Sequence, residues 1–139
     1  MEWRYVKPLK SVELIDEFEK MVGFEFVQSF RECVMANNGG RPSKQIFDTN
    51  KTRGRDLKSF LSFNREDIEN VWDDYEWNGE KFEEIGKIYI PFATSNFGDP
   101  IAFDIKTGHV IFVDHETLEI EQIAETFEEF LNKLYEDED

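Results

Sequence analysis

The chain has 139 residues and a formal net charge of −15, from 31 acidic and 16 basic residues. The length predicts one domain spanning residues 1–139, and the charge argues against direct binding of nucleic acid, because phosphates repel such a surface. The single cysteine excludes an internal disulfide. No signal peptide and no apolar window of about 18 residues is present. We therefore expect a cytoplasmic protein that does not contact a membrane.

Two amphipathic helices are predicted near the N-terminus. The first begins after Ser11 and ends at Gly23, a residue that adopts the left-handed conformation at low cost. Its apolar face consists of residues at helical spacing: Val12, Ile15, Phe18 and Val22. The second helix has its own apolar stripe: Phe26, Phe30, Cys33 and Val34. It is predicted to end at the breaker cluster Asn37-Asn38-Gly39-Gly40.

Residues 41–58 are basic within an otherwise acidic chain, with six Lys or Arg residues and two Asp residues. Ile46-Phe47 and residues 57–63 are the expected arms of a hairpin, with residues 49–54 as its loop. The sequence leaves the role of this basic segment open.

A third helix is predicted to begin at Asn64, with Asp67 in the capping-box position. Its expected apolar face is Ile68, Val71, Trp72 and Tyr75. Asn78-Gly79 is typical of a break or a kink. From residue 66 to residue 84 there are nine acidic residues and one basic residue, so the opposite face of this helix is strongly acidic.

Strands follow the third helix. Residues 88–92 alternate between apolar and other positions, and Pro91 predicts a sheet edge or a bulge because proline cannot donate to a ladder. Gly98-Asp99 predicts a tight turn to an adjacent antiparallel strand, with Gly98 at positive φ. Residues 101–105 form that strand. Residues 110–113, apolar throughout, are predicted to be the most central strand.

The last helix is predicted from an apolar face made of Ile123, Phe127, Phe130, Leu131 and Leu134. The acidic tail, residues 136–139, should fray. The order of elements predicts an α+β fold, with a mixed, mostly antiparallel sheet flanked by about four helices.

Three groups of residues contain side chains that are common in catalytic or metal sites. His109 and His115 lie at opposite ends of one predicted strand, roughly 20 Å apart, so they are better interpreted as turn residues than as metal ligands. Asp104-Ile105-Lys106 matches a short piece of metal-dependent nucleases but lacks the second acid from a neighbouring strand. Cys33 lies on an apolar stripe and is expected to be a packing residue. We therefore predict no catalytic residue, no metal and no cofactor.

The acidic face of the third helix is the preferred candidate for binding a partner. Aromatic residues among charges are typical of binding hot spots, and Trp72 is expected to belong to the core while Trp77 does not. The predicted contact residues are Asp73, Asp74, Glu76, Trp77, Glu83 and Glu84. The alternative is the outer side of the last helix: Glu121, Glu125, Glu128 and Glu129. The expected partner is a basic protein.

Several motifs together resemble a known family. They are the segment Asn37-Asn38-Gly39-Gly40-Arg41-Pro42, the strand Ile90-Pro91-Phe92-Ala93, Gly98-Asp99, Thr107-Gly108 followed by Val110, and residues 123–131. In this order and spacing, from Pro8 to Tyr135, they resemble the SUKH superfamily, the SMI/KNR-type group of bacterial immunity proteins. Two departures are the entry Phe24-Glu25-Phe26, in place of Leu-Pro, and the basic segment 41–58.

The resemblance implies flanking helices on a mixed or antiparallel sheet and a protein that binds and neutralises a cognate toxin, often a nuclease. It implies no shared catalytic set. The residues that match its motif positions are interpreted as structural: Gly39, Gly40, Gly98, Asp99 and Gly108. The leading hypothesis is thus a non-enzymatic immunity protein with a basic toxin partner. A general protein- or peptide-binding regulatory module of the same fold and, more remotely, a metal-dependent nuclease stay open. The oligomeric state also stays open.

Overall fold

The computed structural model describes residues 1–84 and 89–137, with the side chains of residues 80–82 and 84 outside the description. The helices are α1 Glu13–Val22, α2 Gln28–Asn37, α3 Val71–Glu84 and α4 Phe127–Lys133. The strands are β1 Trp3–Arg4, β2 Arg41–Pro42, β3 Ile46–Phe47, β4 Arg55–Asp56, β5 Ser59–Phe60, β6 Tyr89–Thr94, β7 Pro100–Asp104, β8 Val110–Val113 and β9 Ile120–Ala124. Among the described residues, no helix combines the length and the apolar character needed to cross a bilayer.

A five-stranded antiparallel sheet, in the order β5-β6-β7-β8-β9, is the centre of the fold. Two short antiparallel ribbons, β1-β2 and β3-β4, lie outside it. The α+β class with a mostly antiparallel sheet and four helices is confirmed. The middle strand is β7, so the prediction that residues 110–113 are the most central strand is wrong. All four residues of β8 are nevertheless buried, since apolar clusters lie on both faces of the sheet.

The two faces of the sheet carry different clusters, because side chains alternate along each strand. Ile90, Phe92 and Phe103 join the large cluster, to which all four helices contribute buried residues. The intervening residues of these strands form a smaller cluster on the opposite face: Tyr89, Ala102, Ile111 and Val113. Many of the Phe rings in the large cluster meet edge to face, as Phe30 and Phe127 do at 5.0 Å, the arrangement that aromatic quadrupoles favour.

The first two helices confirm most of their predicted pattern. Gly23 ends α1 at φ +72°, and its N–H donates to the carbonyl of Glu19. Ile15, Phe18 and Val22 are buried, but Val12 precedes the helix and is exposed. Phe26 also precedes its helix, α2, and is nevertheless buried. The ends of these helices were therefore less predictable than their buried faces.

The third helix begins at Val71, seven residues later than predicted. Asn64 does not cap it, because the Asn64 side chain accepts from the Lys10 N–H at 3.0 Å and donates to the Pro8 carbonyl at 3.0 Å. Ile68 lies before the helix and is 94% exposed, so its assignment to the apolar face is wrong. The helix continues through Asn78 and Gly79 without the predicted break.

Two further boundaries differ from the prediction. Ile46-Phe47 pairs with Arg55-Asp56 rather than with residues 57–63, while β5 joins the main sheet. Ile123 belongs to strand β9, and the last helix begins only at Phe127, after Thr126 has capped it. Short apolar runs fit a strand or a helix equally well, and only the pairing of β9 with β8 decides between them.

The strand turn at Gly98 follows the prediction closely. Gly98 has φ +85° and lies between β6 and β7, which are adjacent and antiparallel. The register of these strands shifts between Pro91 and Ala93, so Pro91 lies at a bulge as expected. Residue 88, the predicted start of β6, and residues 138–139 of the acidic tail lie outside the described residues.

Candidate protein-binding surface

The acidic face of α3 is positioned by a cap and by a buried aromatic residue. Asn70 Oδ1 accepts from the Asp73 N–H at 2.8 Å, and Asn70 Nδ2 donates to Asp73 Oδ2 at 2.9 Å. This reciprocal pair satisfies a free N–H at the helix start. Val71 and Trp72 then enter the core, and Trp72 Nε1 donates to the Phe63 carbonyl at 2.9 Å. Trp72 is thus a core residue, as predicted.

With Trp72 buried, the opposite side of α3 faces solvent. Asp73, Glu76 and Glu83 are exposed, and Trp77 is 74% exposed. Residues three and four apart are neighbours on a helix surface, so Asp73 lies beside both Trp77 and Glu76. The side chain of Glu84, another predicted contact residue, lies outside the described residues. The structure therefore brings four of the six predicted contact residues onto one exposed face.

Asp74 differs from its exposed neighbours because it is half-buried. Burial, together with the nearby acids Glu69 and Asp73, raises the pKa of its carboxyl from 3.8 to about 6. A buried carboxylate loses hydration, which disfavours its charged form. Because it is half-buried, Asp74 offers less of its side chain to a partner than Asp73 or Glu76 does.

Within the part of the chain that the structure describes, the exposed acids of α3 are not neutralised. Among the side chains that the structure describes, Asp73, Glu76 and Glu83 form no ion pair. A large exposed ring surrounded by such charges matches the composition of interface hot spots, where aromatic residues are enriched. This face can therefore attract a basic partner and offer it an apolar contact.

The alternative acidic face, on the last helix, is not a continuous surface. Glu121 lies on β9 and is 7% exposed, and Glu129 pairs with Lys133 at 2.8 Å. Glu128 accepts a hydrogen bond from Ser29. Only Glu125 of the four predicted residues is exposed and without such a contact in the described structure. The prediction failed here because residues 120–124 form a strand.

Glu121 instead holds the basic segment against the sheet. Its carboxylate accepts from Arg55 Nε at 3.0 Å and from Arg55 Nη2 at 2.8 Å, and also from Thr49 Oγ1 at 2.6 Å. Hydrogen bonds from Arg55 and, to a smaller extent, from Thr49 and Thr52 lower the pKa of Glu121 from 4.5 to about 2. The guanidinium also lies 4.1 Å from the centre of the Phe112 ring. Part of the basic segment is therefore structural.

The same segment also closes the free edge of β9. The Asn50 N–H donates to the Gln122 carbonyl at 2.9 Å, and Asn50 Oδ1 accepts from the Gln122 N–H at 2.9 Å. Unpaired strand edges invite pairing with other chains. Asn50 occupies this edge in the way a neighbouring strand would.

A second group missed by sequence reasoning is Asp99 with His115. Asp99 Oδ1 accepts from the His115 N–H at 3.0 Å and lies 2.6 Å from His115 Nδ1. This contact raises the pKa of His115. One ligand atom from each of Asp99, Asp114 and His115 lies within 4.8 Å of the others. Sixteen residues separate Asp99 from His115, and no local pattern in the sequence indicated that two strand turns would meet.

These three residues already have partners that serve the turns. Asp99 Oδ2 accepts from Ser95 Oγ at 2.8 Å, and Asp114 Oδ1 accepts from the Glu116 and Thr117 N–H groups at 2.8 and 3.0 Å. The interpretation of Asp99 as structural, and of the His and Asp residues as turn residues, agrees with these contacts. Phe97, at the tip of the Asp99 turn, is 77% exposed.

The nuclease-like piece Asp104-Ile105-Lys106 does not have the geometry its chemistry needs. Asp104 ends β7, and its Oδ1 accepts from the Lys106 N–H at 2.9 Å, so Lys106 lies in the turn rather than on the strand. The two side chains therefore do not project from one strand face. Cys33 is half-buried against the core, and burial raises the pKa of its thiol to about 12.

The motif glycines lie where the backbone has a positive φ or where a side chain would clash with neighbouring atoms. Gly39 and Gly108 have φ of +67° and +76°. A Cβ on Gly40 would lie 2.9 Å from the Asn37 carbonyl oxygen and 3.0 Å from a Val6 methyl, so only glycine fits there. These contacts support the structural interpretation of all three.

Comparison with known proteins agrees with this arrangement. No curated protein matches the chain. Residues 11–133, from the start of the first helix to the end of the last, match the model of the SMI1 / KNR4 family (SUKH-1). This match covers both the helices that bury the core and the whole five-stranded sheet. The chain therefore belongs to the SMI1 / KNR4 family (SUKH-1).

Proposed function

We propose that this protein is an immunity protein that neutralises a cognate bacterial toxin by binding it, without catalysis. Membership of the SMI1 / KNR4 family supports this role. We choose the α3 face as the binding surface because Trp77 is 74% exposed there, among acidic side chains that form no ion pair in the described structure. The partner is a basic protein, and a nuclease is the class of toxin that such charge fits best, because nucleases hold phosphates with basic residues.

The two components of the α3 face act on different steps of binding. The acidic side chains steer a basic partner and raise the association rate. The Trp77 ring supplies apolar contact area that must be exposed again before the partner leaves, so it acts on the dissociation rate. An immunity protein needs both, because it must capture a toxin quickly and retain it.

The test needs a toxin as partner, and this toxin is sought among the proteins encoded beside this gene. The triple variant Asp73→Lys, Glu76→Lys, Glu83→Lys should slow association by at least about tenfold, whereas Trp77→Ala should mainly speed dissociation. Surface plasmon resonance at several salt concentrations measures both rates. The wild-type association rate should fall as salt rises toward physiological strength, where the screening length is about 8 Å.

The matched control reverses three exposed acids on other surfaces, Glu25, Glu116 and Glu119. It changes the net charge by the same amount and should leave most of the association rate intact. Equal effects of the two triple variants would show that overall charge, not the α3 face, attracts the partner. Normal binding by the α3 variant would reject this face, and absence of any toxin binding would reject the proposed function.

One alternative is a general protein- or peptide-binding regulatory module of the same fold. It predicts capture of a partner that is not a toxin and no protection of toxin-expressing cells. The nuclease alternative predicts metal-dependent hydrolysis by the purified protein that Asp104→Ala and Lys106→Ala abolish. We expect neither result.

A further inference from the structure

The N-terminal ribbon is a cationic patch on an acidic protein. Strands β1 and β2 pair Arg4 directly opposite Arg41, and two further exposed cations, Lys7 and Lys44, lie within three residues of them in the sequence. Among the described side chains, these four cations form no ion pair. Six of the ten other Lys and Arg side chains that the structure describes form ion pairs, as Lys10 does with Glu66 and Arg65 with Glu17.

Opposing arginines on neighbouring strands are unfavourable for folding. Residues directly opposite in an antiparallel pair have their Cβ atoms about 5 Å apart, and like charges at that distance destabilise the pair. Arg4 and Arg41 therefore concentrate positive charge at a cost to the pairing of the two strands. Such an arrangement is stabilised when an anion lies between the two guanidinium groups.

Tyr5 adds a second feature that folding does not require. Its φ is +55°, in the left-handed region that non-glycine residues rarely adopt. Its ring is 69% exposed and lies 5.1 Å from the Arg41 guanidinium. A strained backbone that presents an exposed ring under an arginine points to a binding role, because the ring holds the guanidinium in place before a ligand arrives.

The ribbon is also rigidly attached to the core. The Trp3 ring packs edge to face on Phe60, with ring centres 5.1 Å apart. The Lys7 N–H donates to the Asn38 carbonyl at 2.8 Å, and Gly40 allows the close approach of Trp3 and Val6. A ligand at this patch would therefore meet a preformed surface and would order little of it, which favours binding.

We propose that the ribbon surface formed by Arg4, Tyr5 and Arg41 binds an acidic segment of a partner protein through its carboxylates. Arginine forks match carboxylate geometry. A long nucleic acid fits less well, because the remainder of this chain, with its net charge of −15, repels an extended polyanion. A short acidic segment contacts the patch alone and avoids most of that repulsion.

The test uses a fluorescein-labelled octapeptide of alternating Asp and Glu as the probe, with fluorescence anisotropy at low salt. Wild-type protein should bind it, and Arg4→Gln/Arg41→Gln should weaken binding by at least about tenfold, since charge-assisted contacts are lost. The control Lys51→Gln/Arg53→Gln removes the same charge from exposed positions elsewhere and should bind as wild type does.

Tyr5→Gly separates a binding role from a structural one. Glycine adopts positive φ without strain, so this variant should keep its melting temperature while losing peptide affinity several-fold. A role limited to folding predicts the reverse, a lower melting temperature with unchanged affinity.

Four outcomes would overturn the proposal. These are no binding of the octapeptide by wild-type protein, equal weakening by the two double variants, and tighter binding of a single-stranded oligonucleotide than of the peptide through the same arginines. The fourth is self-association in sedimentation that Arg4→Gln/Arg41→Gln abolishes, which would identify a second copy of this chain as the occupant.

Discussion

At two glycines, backbone conformation rather than side-chain contact should decide how a substitution changes stability. Gly98 has φ +85° and Gly79 lies within α3, yet a Cβ added to either would meet no atom within 4 Å. Space is therefore available at both positions. Only the backbone conformation differs between them. It should therefore decide whether the same substitution raises or lowers the free energy of unfolding.

We expect Gly98→Ala to lower the free energy of unfolding by about 1–2 kcal/mol, the cost of a left-handed L-residue. Gly79→Ala should raise it by up to about 1 kcal/mol, because alanine is the better helix former. Urea unfolding of the two variants measures both changes. Equal signs would contradict the conformational explanation.

Asp74 provides a second prediction at this scale. Its folded pKa, about 6, exceeds the 3.8 of an ordinary Asp, so the carboxylate destabilises the fold increasingly as pH rises from about 4 to 6. Asp74→Asn should therefore stabilise the protein at pH 7 by on the order of 2 kcal/mol and have little effect at pH 3. Thermal unfolding at both pH values measures this, with the exposed Glu76→Gln as a control. A gain that is the same at both pH values would rule out the titration of Asp74 as its cause.

At the scale of elements, the basic segment and β9 stabilise each other across 66 residues of sequence. Arg55 and Glu121 are largely shielded from water, and the carboxylate accepts hydrogen bonds from two threonines as well. Removing one partner of such a pair leaves the other charge without compensation. The contact also keeps Asn50 in place along the edge of β9.

The folded pKa of Glu121, about 2, is below its ordinary 4.5, so its contribution is complete above about pH 5 and disappears as pH falls toward 2. Glu121→Gln should cost about 3 kcal/mol at pH 7. The difference from wild type should shrink steadily below pH 4.5. Urea unfolding across this range tests it, with the exposed Glu119→Gln as a control. A constant difference between pH 7 and pH 2.5 would contradict the assignment.

The whole molecule carries a net charge of −15 on 139 residues. Like charges repel one another in the compact state, and salt screens that repulsion. Acidic residues outnumber basic ones by 31 to 16, so screening should remove more repulsion than attraction. The net negative charge thus destabilises the folded state, and it would also attract a basic partner.

Added sodium chloride should raise the melting temperature by a few degrees, on the order of 1 kcal/mol of stability. Calorimetry from low to physiological salt measures the change. The triple variant Asp73→Lys, Glu76→Lys, Glu83→Lys carries less net charge and should respond less. A melting temperature that falls with salt would show that attractive ion pairs outweigh the repulsion.

The sequence was enough to predict the features that depend only on neighbouring residues. Apolar spacing predicted the buried faces of α1 and α2, the alternation of β6 and β7 and the burial of Trp72. The charge pattern predicted the acidic outer face of α3, and the residue type predicted the positive φ of Gly98. Each of these properties depends on side-chain spacing of two or of three to four residues, or on the conformational freedom of glycine.

Tertiary structure alone decided the contacts between distant residues. Asn64 could cap a helix, but Pro8 and Lys10 occupy its side chain, so Asn70 caps α3 instead. Residues 120–124 could form a helix, but pairing with β8 makes them a strand and turns Glu121 toward Arg55. Asp99 meets His115 only because two turns lie at the same end of the sheet. Hydrogen-bond partners and strand register form between segments far apart in the chain, so no local pattern can specify them.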